Sequence, residues 1–244
     1  MLEIEKSKID IEKNQLIYSK KANNFYFWIF QEIKPSLQNN VLEIGAGIGN
    51  LSKIFVDNLS INRKIFLADL EENYLSRLRK NFEKKENVSI EFLDLNDVSN
   101  FLKKKYKIDS CVLINVLEHI ENDTNALINI NKILTEKGNL IVLVPALQRL
   151  YNIIDIKNGH YRRYSKKDLA EKTENAGFKI EKLYYFNFFG IFGWILNGNI
   201  LKKSIINENA LGIFNKLVPL MKFIDKHIIR KKIGVSLIAV LHKK

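Results

Sequence analysis

A short apolar strand runs into a glycine-rich turn in the segment Val41-Leu42-Glu43-Ile44-Gly45-Ala46-Gly47-Ile48-Gly49-Asn50-Leu51. Glycines at three alternate positions let the backbone turn tightly and approach a ligand that a Cβ atom would push away. A dinucleotide fingerprint requires a glycine three residues after the second one, and this chain has Asn50 there. The segment therefore predicts a strand, a loop for a nucleotide-like cofactor and the start of a helix, and it argues against NAD.

The composition indicates a protein with one sizeable core. The chain has 244 residues, of which 46% are hydrophobic, and this length suggests one domain with room for a subdomain. Its only cysteine, Cys111, lies in an apolar run, which indicates a buried and inert thiol. No intrachain disulfide can form, and residues 1–13 contain no apolar stretch of signal-peptide length. We therefore expect a cytoplasmic protein in a reducing compartment.

The net charge of +12 would attract polyanions such as nucleic acid or an anionic membrane surface. Only seven of the 39 basic residues are arginine, and lysine, asparagine and isoleucine are abundant along the whole chain. This bias favours solvated surface lysines over a dedicated nucleic-acid surface. An RNA substrate stays open as an alternative.

From residue 40 onwards, strand-like and helix-like patterns alternate. Short apolar runs predict strands over 40–44, 64–69, 88–93, 108–115 and 138–144, typical of strands buried on both faces. Helices are predicted between them, over 49–59, 73–83, 97–106 and 121–135. Units of this kind in series imply a parallel sheet with right-handed crossovers, whose ligands lie at the carboxyl ends of the strands.

Polar residues stand at those strand ends. A carboxylate such as Asp69, after the second strand, can accept two hydrogen bonds from a ribose diol. Asp94, after the third strand, can accept a bond from the amino group of adenine, while Leu95 covers the ring. Taken singly, each is more typical of a turn or a helix cap, but together and in this order they indicate a cofactor site.

Four segments resemble the successive cofactor motifs of the class I S-adenosylmethionine (SAM) dependent methyltransferases: 43–50, 67–69, 93–95 and 115–120. The resemblance covers residues 38–145. It implies an α/β, Rossmann-like fold with a seven-stranded, mostly parallel sheet, an antiparallel last strand, N-terminal helices and an insertion between strands six and seven. It also implies SAM as the cofactor. The cofactor-binding residues that it implies are Glu43, Gly45, Ala46, Gly47, Gly49, Asn50, Asp69, Leu70, Asp94, Leu95, Asn115 and Val116.

The segment Gly159-His160-Tyr161-Arg162-Arg163-Tyr164 is similar to one found in a bacterial subgroup of these enzymes, often associated with glycan or lipid pathways. His160 could accept a proton from the substrate, since an unperturbed histidine has a pKa of about 6.5. Asp155 could orient His160 or act itself. We interpret five residues as substrate contacts: His119, Tyr151, Arg162, Arg163 and Tyr164. The alternative is that this segment only fastens the connection to the sheet.

A catalytic base is not obligatory for methyl transfer, because the sulfonium is already activated and alignment supplies much of the rate. We identify no metal-ligand set in the sequence and expect no metal.

The predicted organisation has four parts: an N-terminal helical lid over 1–37, the SAM-binding core over 38–185, an apolar substrate cap over 186–231 and the last strand over 232–244. Asparagines and glycines interrupt the apolar run 184–201, which argues against a transmembrane helix. A basic amphipathic helix follows, which Pro219 should kink or divide. It could pack on the core, or it could hold the protein at the inner membrane face through residues 186–229.

The predicted function is SAM-dependent methyl transfer to an oxygen or nitrogen of a small-molecule, glycan or lipid-linked acceptor. An RNA methyltransferase, an NAD-dependent oxidoreductase and a non-catalytic SAM-binding protein are the alternatives. DNA is not expected, because enzymes that methylate DNA amino groups share a D/N-P-P-Y/F segment where this chain has Asn115-Val116-Leu117-Glu118. The sequence does not predict the oligomeric state.

Overall fold

A computed structural model describes residues 21–202 and 208–244. Residues 1–20 of the predicted N-terminal helical lid lie outside these described residues. The chain forms one seven-stranded sheet with helices on both faces.

The strands are β1 (Val41–Ile44), β2 (Ile65–Asp69), β3 (Val88–Phe92), β4 (Ile108–Ile114), β5 (Leu134–Pro145), β6 (Phe178–Phe186) and β7 (Ser236–Lys243). The α-helices are α1 (Asn23–Ile33), α2 (Asn50–Asn58), α3 (Glu72–Phe82), α4 (Ser99–Lys103), α5 (Asp123–Ile133), α6 (Ile153–Lys157), α7 (Lys166–Asn175), α8 (Gly190–Trp194) and α9 (Glu208–His227). A π-helix over Ile195–Ile200 follows α8, and short 3-10 turns occupy Lys34–Ser36, Leu117–His119 and Gln148–Leu150.

The strand order is β3-β2-β1-β4-β5-β7-β6. Strands β1 to β5 pair in parallel, and β7 runs antiparallel to both of its neighbours, β5 and β6. The parallel sheet and the antiparallel last strand predicted from the sequence are therefore confirmed. Since β1 and β4 are neighbours and the chain leaves them in opposite directions across the sheet, a crevice opens at their carboxyl ends, where ligands bind in such folds.

The apolar strands are buried on both faces. Leu42 of β1 packs with α5 and α7 on one face of the sheet, whereas Val41 packs with α1, α2 and α3 on the other. Cys111 lies fully buried in β4, and burial raises the pKa of its thiol, so the predicted inert role fits its position.

Helix boundaries follow local chemistry. The Ser165 hydroxyl accepts a hydrogen bond from the N–H of Asp168 at 3.0 Å and caps α7. Gly177 has a φ of +86° just after that helix, as a C-terminal glycine should. One predicted boundary was wrong: β5 begins at Leu134 and not at residue 138, so the helix predicted over 121–135 ends earlier and Gly138 lies inside the strand. Pro219 does not divide α9, which continues through it, and a kink at this proline stays a prediction.

The connection between β6 and β7 carries α8, the π-helix and α9. Asp225 of α9 is buried and accepts hydrogen bonds from the backbone N–H groups of Asn187 (3.2 Å) and Phe188 (3.3 Å). Helix α9 also packs on α1, so the N-terminal helix and the connection cover the same end of the sheet. Within the two described ranges, every helix is too short or too polar to cross a bilayer.

Candidate active site

The loop between β1 and α2 depends on three glycines in the left-handed region. Gly45, Gly47 and Gly49 have φ values of +73°, +55° and +90°. The N–H groups of Gly45 and Ala46 both donate to the carbonyl of Ala68, which fixes the loop to the end of β2. A Cβ atom on Gly45 would lie 2.4 Å from Cγ2 of Val116, so this position requires glycine for space as well as conformation.

Glu43 is a buried carboxylate at the start of this loop. It accepts a hydrogen bond of 2.6 Å from the Ser52 hydroxyl and lines the main cavity. Burial raises the pKa of Glu43 to about 8, although the bond from Ser52 opposes that rise. A cationic ligand group in the cavity would therefore offset the cost of ionising Glu43.

Asp69, at the end of β2, organises the neighbouring loops. Its Oδ2 accepts from the N–H of Gly47 at 2.8 Å and its Oδ1 from the N–H of Glu71 at 3.0 Å. Burial raises the pKa of Asp69, and these backbone hydrogen bonds oppose the rise. The predicted ribose contact of Asp69 stays a prediction.

The predicted adenine subsite is not part of the main cavity wall. Asp94 accepts hydrogen bonds from the backbone and side chain of Asn96, and Leu95 is buried in the core. Leu70 is 51% exposed. The contacts that the sequence predicts for these three residues stay predictions.

On the other side of the crevice, Asn115 follows β4 in the left-handed region, with a φ of +54°. It is exposed to the main cavity, while Val116 fills the space beside Gly45. Asn50 donates through Nδ2 to the hydroxyl of Tyr26 on α1 at 3.1 Å. The N-terminal helix thus contacts the end of the glycine loop, and its role as a lid stays a prediction.

One cavity of about 630 Å³ joins these elements. It extends from the glycine loop, past Asn115 and two histidines, to an apolar mouth formed by α8, the π-helix and α9. This volume is typical of small-molecule and cofactor sites. The residues that line it include Glu43, Gly45, Asn115, His119, His160, Arg163, Trp194, Leu196, Ile213 and Leu217.

The two histidines belong to a cluster on the cavity floor. Nδ1 of His160 lies 2.8 Å from Oδ1 of Asp155, and its Nε2 lies 4.0 Å from Oε1 of Glu118. The rings of His119 and His160 meet edge to face, with centroids 4.7 Å apart. Burial and, to a lesser extent, the neighbouring His160 lower the pKa of His119 to about 4, against the opposing effect of hydrogen bonds with the backbone of Asn158 and Gly159.

Glu118 is fully buried beneath these imidazoles. Neither of its carboxylate oxygens has a hydrogen-bond partner within the described part of the chain. Burial raises the pKa of Glu118 to about 8. The backbone N–H of Glu118 itself and the positive charge of Arg163 oppose this rise, whereas the negative charge of Asp155 reinforces it. A buried carboxylate without a partner is costly, and such groups often mark functional positions.

Asp155 connects His160 with Arg163. Nε of Arg163 lies 3.0 Å from both carboxylate oxygens of Asp155, and Nη1 donates to the carbonyl of Ala146. Burial would raise the pKa of Asp155, but the hydrogen bond with His160 and the charge of Arg163 outweigh it and lower that pKa. The Arg163 guanidinium also stacks on Trp194, 4.4 Å from the ring centre. The arrangement favours Asp155 as an orienting group over direct contact with substrate.

Three of the predicted substrate contacts have structural partners instead. Tyr164 is fully buried and donates to Asp123 at 2.8 Å. Arg162 forms an ion pair with the same carboxylate and donates to the carbonyl of Ile120, while Tyr151 donates to the carbonyl of His160. None of the three lines the cavity, whereas His119, His160 and Arg163 do. For Tyr151, Arg162 and Tyr164 these contacts fit the fastening interpretation, and a contact with substrate stays a prediction.

Sequence reasoning missed Glu118 as a site residue. It is adjacent to His119, and a Glu-His pair is common on surfaces, so the pair alone carried little weight. The informative signal was its position directly after a buried strand, where the chain turns into the crevice. Trp194 was also missed as the stacking partner of Arg163, because those residues are 31 positions apart.

The strand order, the left-handed glycine loop and the cavity at the β1/β4 crevice define an α/β protein with the topology of class I methyltransferases. A family described as "Methyltransferase domain" matches residues 18–183. The chain belongs to this methyltransferase family, and SAM is the cofactor that the family implies.

Solved structures agree with this fold. An S-adenosylmethionine-dependent methyltransferase from Clostridium acetobutylicum aligns with a TM-score of 0.58 at 11% identity, covering 95% of this chain and 98% of that one. The CurJ carbon methyltransferase aligns with a TM-score of 0.56 at 14% identity, covering 88% of this chain and 50% of that one. The [4+2]-cyclase SpnF aligns equally well, with a TM-score of 0.56 at 13% identity over 94% and 80% of the two chains. At these identities the likeness shows the fold alone.

Among curated proteins, a polyketide synthase of Dictyostelium discoideum is 30% identical over 146 residues. That alignment covers 50% of this chain and 5% of the synthase. The chain therefore spans a small part of its curated relative.

Proposed function

We propose that this protein transfers the methyl group of SAM to an oxygen or nitrogen of an amphipathic, lipid-linked acceptor. This is the kind of acceptor expected for the bacterial subgroup that the segment 159–164 resembles. The observation that carries the proposal is the single cavity in which the glycine loop, the histidine cluster and an apolar mouth follow one another. Each of the three regions has a counterpart in the reaction: the cofactor, the reacting atom and the lipid.

The cofactor end suits SAM because its features match a cationic, nucleoside-bearing ligand. Glycines without a Cβ permit close approach of the backbone, and the buried carboxylate of Glu43 favours the positive charge of an amino group or sulfonium. The carboxylate of Asp69 holds the glycine loop in place by accepting a hydrogen bond from the N–H of Gly47.

The reacting atoms would meet beside Asn115, between the glycine loop and the histidine cluster. An acceptor O–H or N–H group there attacks the methyl carbon, the carbon–sulfur bond breaks, and S-adenosylhomocysteine leaves. His160 accepts the released proton, and Asp155, 2.8 Å from Nδ1, orients the ring so that Nε2 is the nitrogen left to take it. Alignment of the three atoms supplies much of the rate.

The acceptor's lipid part would occupy the mouth. Large apolar side chains remain exposed around it, with Leu196 at 49%, Ile213 at 61% and Leu217 at 44% exposure. Lys216 and Lys226 are exposed on the same helix, α9. An exposed apolar rim with nearby lysines fits the surface of an anionic membrane.

The cofactor part is tested by calorimetric titration of cofactor-free protein with S-adenosylhomocysteine, with NAD as the control ligand. We expect micromolar binding of the first and none of the second. A folded sample that binds neither would contradict the cofactor assignment.

The acceptor part is tested with SAM carrying a labelled methyl group, incubated with anionic lipid vesicles that contain extracted lipid-linked sugars. Free sugars and RNA serve as competing acceptors. Leu217→Glu should reduce labelling of the lipid fraction and vesicle binding together. The matched control is Ile61→Glu, because Ile61 is 72% exposed in the loop before β2, away from the cavity. Equal labelling by both variants, or label only in RNA, would refute a membrane-borne acceptor.

A further inference from the structure

Glu118, His119 and His160 bring three potential metal-ligand atoms together on the cavity floor. The atoms that they offer all lie within 4.8 Å of one another, and Nε2 of His160 is 4.0 Å from Oε1 of Glu118. Bonds from zinc to nitrogen or oxygen are about 2.0–2.2 Å long, so ligand atoms up to about 4.3 Å apart can share one ion. The Glu118–His160 pair already meets this limit, and the bound of 4.8 Å on the distances to the third atom leaves at most about half an ångström to close.

The carboxylate of Glu118 lacks a counter-charge of its own. It is fully buried, and both oxygens are without hydrogen bonds in the described ranges. The positive charge of Arg163 acts on Glu118 but is shared with Asp155, with which Arg163 forms its ion pair, and Nη2 of Arg163 is likewise buried without a hydrogen-bond partner there. A cation bound between Glu118 and the imidazoles would satisfy this carboxylate and supply the missing positive charge.

The surroundings also resemble the outer shell of a metal site. Histidines that bind metals usually donate their second nitrogen to a carboxylate or carbonyl group, which fixes the ring. His160 meets this condition through Asp155 at 2.8 Å, and His119 is hydrogen bonded to the backbone of Asn158 and Gly159. Both rings are therefore held in place before any ion arrives.

From this geometry we infer that Glu118, His119 and His160 form a binding site for one divalent transition-metal ion such as Zn²⁺. Two imidazoles and one carboxylate are a common set for catalytic zinc, and they leave at least one coordination position open. Because His119 and His160 line the cavity, that open position faces the space in which the acceptor would bind.

The consequence for chemistry, which rests on the proposed function, is a different source of acceptor activation. An acceptor hydroxyl that binds the ion loses its proton to solvent more readily, because the cation stabilises the resulting oxygen anion. That oxygen then attacks the methyl carbon, and the carbon–sulfur bond breaks. In the metal-loaded protein His160 would be a metal ligand, and the proton-acceptor role proposed above would apply only to the metal-free protein.

The test is zinc binding by the full chain without an affinity tag, after treatment with a chelator and desalting. Calorimetric titration with ZnCl₂ gives the stoichiometry and affinity, and the visible spectrum of the Co²⁺ form reports on the ligands. The variants are Glu118→Gln, which preserves shape, and His160→Ala. The matched control is His242→Ala, because His242 also lies beside a carboxylate, 2.9 Å from Glu181, at a distant surface.

We expect one equivalent of zinc for the wild type and for His242→Ala, with at least tenfold weaker binding for Glu118→Gln and His160→Ala. Circular dichroism checks that all proteins are folded. Equal zinc binding by the wild type and folded Glu118→Gln would overturn the site. Titration of the same samples with S-adenosylhomocysteine separates the two proposals, since the cofactor can bind while zinc does not.

Discussion

Oδ2 of Asp69 accepts a hydrogen bond from the backbone N–H of Gly47 at 2.8 Å, which joins the end of β2 to the loop that follows β1. The other oxygen, Oδ1, is engaged with the N–H of Glu71. Asp69 thus shapes two backbone segments at the crevice, and any contact that it makes with a ribose would be added to this role.

Replacing Asp69 by alanine should weaken binding of S-adenosylhomocysteine about 10- to 150-fold, because a hydrogen bond to a charged group is worth about 1.5–3 kcal/mol. Calorimetry measures the change. Asp57→Ala is the control, since Asp57 is an exposed residue paired with Lys53 on α2. A folded Asp69→Ala protein with unchanged affinity would show that β2 does not carry the cofactor.

Gly45→Ala should destabilise the protein by both conformation and crowding. The φ of +73° costs about 1–2 kcal/mol for a residue with a Cβ, and the contact with Val116 at 2.4 Å adds about 1–3 kcal/mol. Gly159→Ala is the matched control, because Gly159 has a φ of +75° but open space around its Cβ position.

Chemical denaturation measures both variants. The double variant Gly45→Ala/Val116→Ala should recover much of the crowding part relative to Val116→Ala alone. If Gly45→Ala and Gly159→Ala cost the same, steric contact with Val116 is not what requires glycine here.

The stability of the cofactor-free protein should depend on the protonation of Glu43. Its pKa rises from the usual 4.5 to about 8 in the folded state, so between these values the folded chain holds a proton that the unfolded chain has lost. The raised pKa of Glu43 therefore contributes to the free energy of unfolding at low pH. This contribution is lost as pH rises through that interval, by at most about 1.4 kcal/mol per pH unit.

Glu43→Gln should remove this dependence. We expect the variant to gain stability relative to the wild type between pH 6 and pH 8, as measured by urea unfolding at each pH. Parallel curves for the two proteins would mean that Glu43 is already ionised in the free protein.

Arg163→Gln should cost about 3–5 kcal/mol of stability, because it leaves Asp155 buried without its ion-pair partner. Lys167→Ala, which removes an exposed partner of Glu171, should change stability by less than about 1 kcal/mol. Thermal and urea unfolding report both changes. Similar costs for the two variants would argue against a buried charge network around Asp155.

The sheet was predictable because its strands carry continuous apolar runs. Each of β1 to β4 matches its predicted range at one boundary and differs by one residue at the other. The β5 boundary was wrong because Thr135-Glu136-Lys137-Gly138 is a polar stretch in a strand whose first residues pair only irregularly with β4. Polar residues at the start of a strand do not show the continuous apolar pattern of a buried strand.

The site was less predictable. The glycine loop is local, so its spacing was sufficient, whereas the cluster of His160 with Glu118 joins residues 42 positions apart. The role of Arg163 also could not be distinguished from the roles of its neighbours by sequence alone. Arg163 lines the cavity, whereas Arg162 and Tyr164 bind Asp123. Side-chain direction in an irregular connection depends on partners from distant elements.

Strand β7 follows β6 in the chain but lies between β5 and β6. During synthesis, the edges of β5 and β6 that face β7 therefore stay unpaired until residues 236–243 are made and insert between these two strands. Unpaired edges invite association with other chains, and pairings distant in sequence form slowly. The fraction of chains that fold without associating should thus depend on the insertion of β7. Substitutions in β7 should therefore lower the folding yield before they lower the stability of the folded protein.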